Sequence, residues 1–160
     1  MKHKVPTKVR CYLFDIDGTI ADLHHRLHFI RTEGQKKDWR SFFAATKDDK
    51  PIPHIIELAH KLWATTQIVF VSGRSDECRE DTEAWLEQQG FGYVGERSVR
   101  HLYMRKAGDY RADDIVKGEL LDRILADGYE PIMAFDDRKR VVDMWRARGI
   151  PCAQVAEGDF

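Results

Sequence analysis

Short β-branched and aromatic runs alternate along the chain with longer stretches whose apolar residues recur every three or four positions. The short runs, at 9–14, 67–71, 101–104, 132–135 and 152–155, read as strands, and those at 55–63, 81–89, 113–126 and 138–148 as helices. Strands alternating with helices predict βαβ units, hence an α/β fold: a Rossmann-like parallel sheet flanked by helices. The boundaries carry their own signals. Gly90, Gly128 and Gly149 stand where a helix end takes a left-handed residue, and Pro131 and Pro151 are expected to open the next strands.

Residues 21–50 break this rhythm, because a short connection would suffice between the first strand and the next core helix. They are read as a small cap inserted after strand 1, within a single domain of residues 1–160. Trp39, Phe42 and Phe43 fall at i, i+3 and i+4, which predicts a short amphipathic helix there. These rings are expected to form the insert's own core, with stacking on nucleobases as the alternative.

Composition narrows the function classes. With 42% hydrophobic and 33% charged residues and no low-complexity tract, the chain is expected to bury a core. No apolar run approaches the ~18 residues of a membrane span, and basic Met1-Lys2-His3-Lys4 is not followed by an apolar signal region, so a cytoplasmic location is expected. Twenty-six Lys and Arg against 27 Asp and Glu leave a net charge of −1, which excludes a coating polyanion binder but leaves room for a local basic site. Arg97, Arg100, Arg105, Lys106 and Arg111 form such a run, which could equally be a solvated face. Cys11, Cys78 and Cys152 suggest neither a disulfide framework nor a zinc ribbon. His24, His25 and His28 lack Cys or Glu partners at zinc spacing and are expected to face solvent or substrate.

The chemistry gathers at strand ends. Asp15-Ile16-Asp17-Gly18-Thr19 follows the first strand, Ser72-Gly73-Arg74 the second, and Asp136-Asp137 the fourth, with Lys117 on the helix between. Open α/β sheets bind ligands at the carboxyl ends of their strands. If these ends converge, clustered carboxylates, a hydroxyl and cations suit Mg²⁺ and a phosphoryl group. Alone, Asp15 and Asp17 could cap a turn, Asp136-Asp137 could cap a helix, and Ser72-Gly73 could be turn chemistry.

D-I-D-G-T at 15–19, V-S-G-R at 71–74, Lys117 and D-D at 136–137 together resemble the haloacid dehalogenase (HAD) superfamily of aspartate-nucleophile phosphohydrolases. A closer likeness is to the phosphatase half of phage end-healing polynucleotide kinase-phosphatases. It is carried by R-x-x-x-x-x-R-x-D-D-I-V-K from Arg105 to Lys117, D-D-R-x-x-V-V-D-M-W-R from Asp136 to Arg146, and the closing Q-V-A-E-G-D-F. Arg26 also falls where that family places a substrate arginine.

The resemblance implies Mg²⁺-dependent hydrolysis of a terminal phosphate monoester, foremost the 3′-phosphate of a DNA or RNA end, with a separate kinase or ligase as a further partner. Asp15 is then the nucleophile and a metal ligand, since a carboxylate attacks a phosphate dianion only when a cation screens their repulsion. Asp136 and Asp137 complete the metal site, and Asp17 adds its backbone carbonyl. The Asp17 side chain is the expected acid and base, and Ser72 and Lys117 the stabilisers of the phosphoryl oxygens. Arg26, Arg74, Arg105, Thr19 and Gly73 are the expected substrate contacts. Two alternatives stay open: a nucleotidase acting on free mononucleotides, and a non-catalytic module that binds nucleic acid ends.

Overall fold

The computed structural model describes residues 7–92 and 101–158. Arg97 and Arg100 of the basic run, the first residues of the chain, and Asp159-Phe160 of the closing motif lie outside the described residues. Strands β1 (Val9–Phe14), β4 (Gln67–Ser75), β5 (Leu102–Arg105), β6 (Tyr129–Asp136) and β7 (Cys152–Gln154) form one sheet in the order β5-β4-β1-β6-β7. Every pairing in it is parallel.

Alternation along the strands builds two cores. On β1, Leu13 faces one side and Phe14 the other, and Val69 and Phe70 on β4 divide in the same way. The Phe14 side is covered by α3 (Pro53–Trp63) and α4 (Arg79–Leu86), which contribute Ile55, Ala59, Trp85 and Leu86. The Leu13 side is covered by α5 (Asp113–Ala126) and α6 (Lys139–Ala147), through Leu121, Ile124, Val142 and Trp145. This is the predicted α/β sandwich.

Element ends differ from the sequence reading in ways that have local causes. β6 begins at Tyr129, so Pro131 lies inside a central strand; the β1–β6 register shifts between Cys11 and Tyr12, beside the position that faces Pro131. A proline cannot donate to the ladder, and a bulge absorbs that loss. β4 runs on through Ser72-Gly73-Arg74 to Ser75, with its pairing to β5 interrupted between Ser72 and Ser75. Those motif residues therefore lie on an irregular strand end rather than in a loop. α3 starts at Pro53, where a first-turn proline needs no N–H partner. α5 and α6 end before Gly128 and Gly149, whose φ values of 91° and 79° are the expected left-handed ones.

Segment 21–50 is tied at its base by β2 (Ala21–Asp22) pairing antiparallel with β3 (Lys50–Pro51). Above that ribbon stand two short helices, α1 (His28–Arg31) and α2 (Trp39–Ala44), the second capped by the Asp38 carboxylate accepting from Ser41 N at 3.0 Å. Leu23, Leu27 and Phe42 make a small core of their own with Phe29, Ile30 and Phe43. No described helix is long and apolar enough to cross a membrane, and Cys11, Cys78 and Cys152 are buried free thiols.

Candidate active site

The sheet order sets the location. From β1 the chain moves outward through β4 and β5, then returns across to β6 on the other side of β1. The carboxyl ends of β1, β4 and β6 therefore border the crevice where such a sheet binds ligands. Asp15 follows β1 directly, its N–H bonded to Phe135 O on β6 at 3.0 Å, and Asp136 ends β6.

Carboxylate oxygens of Asp15, Asp136 and Asp137 all lie within 4.8 Å of one another. Lys117, on the second turn of α5, bridges the first two, with Nζ 2.7 Å from Asp15 Oδ1 and 2.8 Å from Asp136 Oδ2. Trp145 Nε1 donates to the same Asp136 oxygen at 3.2 Å, and Thr19 Oγ1 donates to Asp15 Oδ2 at 3.3 Å. Burial pushes the Asp15 carboxyl up; Lys117 pulls it back, and Asp136 and Asp137 push it up again, so its net direction is upward. Burial together with Asp136 raises Asp137 to about 6. Burial would lower Lys117, but the facing Asp136 and Asp15 carboxylates more than offset it and hold the side chain as a cation.

With all three carboxylates ionised, the Lys117 ammonium and the Arg138 charge that acts on Asp137 still leave negative charge in excess, an arrangement that is costly without a further cation. Asp137 Oδ1 is buried with no hydrogen-bond partner. Hard oxygen donors, excess negative charge and an orphaned acceptor fit Mg²⁺. Asp17 belongs elsewhere: its side chain is not among the three, and only its backbone remains available for the metal role expected of it.

The Asp17 carboxylate accepts from Arg26 Nη2 at 2.6 Å and from Arg74 Nε and Nη2 at 3.0 and 2.6 Å. Behind these guanidiniums lies Asp49, fully buried, accepting from Arg26 Nε and Nη2 at 2.7 and 2.8 Å and from Arg74 Nη2 at 2.5 Å. Burial pushes the Asp17 carboxyl up, but Arg74 and Arg26 pull harder, and the net shift is downward. His25 Nε2 reaches Asp49 Oδ1 at 2.8 Å, and Trp85 Nε1 donates to Asp49 O at 2.7 Å. Asp49 is the site residue that the sequence reading missed. Its signal was thin: an acidic pair, Asp48-Asp49, closing a segment that otherwise read as an insert.

Several expected substrate contacts have other partners. Arg26 and Arg74 are 0% and 1% exposed and committed to the two carboxylates, so both hold Asp17 in place rather than reach into solvent. Thr19 is turned to Asp15. Arg105 lines the cleft, yet its donors go to Gly73 O at 2.8 Å, Asp109 O at 3.0 Å, Arg111 O at 2.7 Å and the Asp113 carboxylate. It pins the loop that follows β5. Asp113 also accepts from Arg138 at 2.9 Å. Ser72 is buried on the irregular end of β4, its Oγ accepting from Arg74 N at 3.1 Å, and Gly73 approaches Asp113 so closely that an added Cβ would stand 2.8 Å from Oδ1. His24 pairs with Asp22 and His25 with Asp49, so the three histidines do not converge.

The site opens into a cleft of about 1320 Å³ between segment 21–50 and the loop after β5. At its edge, Gly158 N donates to Asp137 O at 3.0 Å, and a Cβ at Gly158 would lie 2.6 Å from Asp137 Cγ. The C-terminal segment is thus pressed against a candidate metal ligand, a second feature absent from the sequence reading.

Residues 9–160 match the family described as the polynucleotide kinase PNKP phosphatase domain. A viral relative from Autographa californica nuclear polyhedrosis virus, described as a bifunctional polynucleotide kinase/RNA ligase, is 38% identical over 84 residues, which are 52% of this chain and 11% of that one. A chain of the Pnkp1/Rnl/Hen1 RNA repair complex superposes over 98% of this chain and 45% of its own length, with a TM-score of 0.74 and 26% identity. This chain thus spans less than half the length of both. The class C acid phosphatase of Bacillus anthracis shares the fold, with a TM-score of 0.64 and 14% identity over 96% of this chain and 68% of that one.

Proposed function

The chain belongs to the family of polynucleotide kinase PNKP phosphatase domains, within the HAD phosphohydrolases, and we propose that it is a Mg²⁺-dependent polynucleotide 3′-phosphatase working through a phosphorylated Asp15. Phosphoric monoester hydrolysis is the family's chemistry; the metal, the intermediate and the substrate are our reading. The observation that carries it is the pairing of the Asp15, Asp136 and Asp137 cluster with a second carboxylate, Asp17, two residues from the first and separately held by two arginines.

Bound among Asp15, Asp136 and Asp137, Mg²⁺ would screen the repulsion between a carboxylate and a phosphate dianion. Asp15 Oδ attacks phosphorus in line as the ester oxygen departs. Lys117, already at hydrogen-bond distance from Asp15, neutralises equatorial oxygens in the transition state, and Ser72 with nearby backbone N–H groups hydrogen-bonds them. A 3′ alkoxide needs a proton as it leaves, and Asp17 supplies it. Arg26 and Arg74 keep Asp17 ionised in the free enzyme, so its proton arrives with substrate, when phosphate charge nearby raises its affinity for one. Asp17 then takes a proton from the water that hydrolyses the phosphorylated Asp15.

The experiment is phosphate release from 3′- and 5′-phosphorylated oligonucleotides and from mononucleotides, with and without EDTA, for wild type and Asp15→Asn. The reading expects Mg²⁺-dependent release from 3′ ends, lost in Asp15→Asn. Preferential turnover of mononucleotides would transfer the function to a nucleotidase, and full activity in EDTA would reject the metal site.

A further inference from the structure

Among the described residues, the only exposed Trp, Tyr or Phe rings are Trp39 and Tyr110, at 38% and 85% exposure, and both line the cleft that holds Asp15. They stand on different walls, Trp39 at the start of α2 and Tyr110 on the loop after β5. An exposed ring contributes little to a core, and finding both on one cleft is not what a randomly decorated surface gives.

Each ring has a basic neighbour and a fixed base. Trp39 packs on Phe43 at 5.9 Å with planes 24° apart and meets Phe42 edge-on at 5.7 Å, while the Lys37 ammonium lies 5.6 Å from its ring centre. Its helix is capped by Asp38. Tyr110 sits on a loop pinned by Arg105, by Ala107 N donating to Asp76 Oδ1 at 2.9 Å, and by Asp109 N donating to Lys106 O at 3.1 Å. Arg40 and Lys106 add exposed positive charge on the two walls. The volume of about 1320 Å³ exceeds the roughly 300–1,000 Å³ of an ordinary small-molecule pocket. Exposed rings interleaved with cations around one cleft are how single-stranded nucleic acid is held, because every base offers a π-face whatever its sequence.

We propose that Trp39 and Tyr110 are two nucleobase-stacking subsites, and that the substrate is an unpaired 3′ end whose last bases lie on these rings while Lys37, Arg40 and Lys106 meet its phosphates. This rests on the polynucleotide reading above and adds the form of the substrate. In a duplex the faces of inner bases are covered by their neighbours, so only an unpaired end can use both rings. Lys37 does not block the Trp39 face, since it is a solvated chain that swings from ring to phosphate as a base enters.

The test compares kcat/KM on a single-stranded 3′-phosphorylated oligonucleotide, on the same strand with abasic residues at its last two positions, on a blunt duplex, and on p-nitrophenyl phosphate. Wild type should lose about tenfold or more on removal of the bases. Trp39→Ala and Tyr110→Ala should each raise KM on the intact strand about tenfold with kcat little changed. Their loss on p-nitrophenyl phosphate should be at least tenfold smaller, which also shows that they fold. Trp39→Phe should recover most of the loss, and in Trp39→Ala the abasic penalty should shrink, as a direct pair requires. Equal turnover of intact and abasic strands, preference for the duplex, or equal losses on oligonucleotide and p-nitrophenyl phosphate would each overturn the stacking sites and leave the 3′-phosphatase reading standing. No release from any oligonucleotide, with p-nitrophenyl phosphate hydrolysed, would overturn both.

Discussion

Asp49→Asn replaces one atom in a fully buried side chain and tests how the acid/base is held. Three of the four polar contacts on the Asp49 carboxylate oxygens come from guanidinium N–H groups, which donate only. An amide NH₂ in that place turns a donor toward donors. It also leaves Arg26 and Arg74 with Asp17 as their one remaining carboxylate. Removing one partner from a buried ion pair costs about 3–5 kcal/mol. At roughly 2–4 °C per kcal/mol for a chain of this size, the melting temperature should fall by about 10 °C. The kinetic effect should depend on the leaving group. With both arginines drawn to it, Asp17 holds a proton less readily, which harms expulsion of an alkoxide more than of p-nitrophenolate, which leaves without help. Oligonucleotide turnover should therefore fall by about 10² or more, within the range of general-acid catalysis, and p-nitrophenyl phosphate turnover by much less. Calorimetry and the two rate assays, run below the variant's melting temperature, decide the matter. A variant that melts within 2 °C of wild type, or loses both substrates equally, would refute the reasoning.

Lys117→Ala should lower metal-free stability by about 3–5 kcal/mol, because Asp15 and Asp136 lose their shared cation; added Mg²⁺ should restore the melting temperature but not turnover, and recovered turnover would deny Lys117 a role on phosphate. Asp137, raised to about 6 in the folded protein against about 3.9 unfolded, keeps a proton between those values that the unfolded chain has released. Its contribution to metal-free stability is therefore full below pH 4 and lost as pH rises to 6, and Mg²⁺ should raise the melting temperature far more at pH 7.5 than at pH 5. Equal Mg²⁺ shifts at both values would remove Asp137 from the metal site. Gly158→Ala should weaken Mg²⁺ binding about tenfold by calorimetry with the fold intact, since the added Cβ would lie 2.6 Å from Asp137 Cγ and one of the two must move; an unchanged affinity would mean that the C-terminal segment yields instead.

The two halves of this site differed in how openly the sequence displayed them. Asp15, Asp136 and Lys117 were legible because each closes or rides an element whose period is local, and the α/β rule brings such ends together whatever lies between. Asp49 was not, because its meaning comes from contacts 23 and 25 residues away in sequence, which no local pattern encodes. The same holds for Arg26 and Arg74. The family resemblance marked them as important, but only burial shows that Asp17 and Asp49 occupy guanidiniums that were expected to meet substrate. Periodicity has a second limit in Trp39, Phe42 and Phe43, which share one face and read as one core. The structure divides them, with Phe42 at 4% exposure inside and Trp39 at 38% on the cleft. A helical period gives the direction in which side chains point, whereas how deep each one lies depends on where the opposing wall ends. On the outer edge of such a face a ring can serve both packing and ligand, and that edge is where this chain carries Trp39, the residue on which the form of its substrate can be tested.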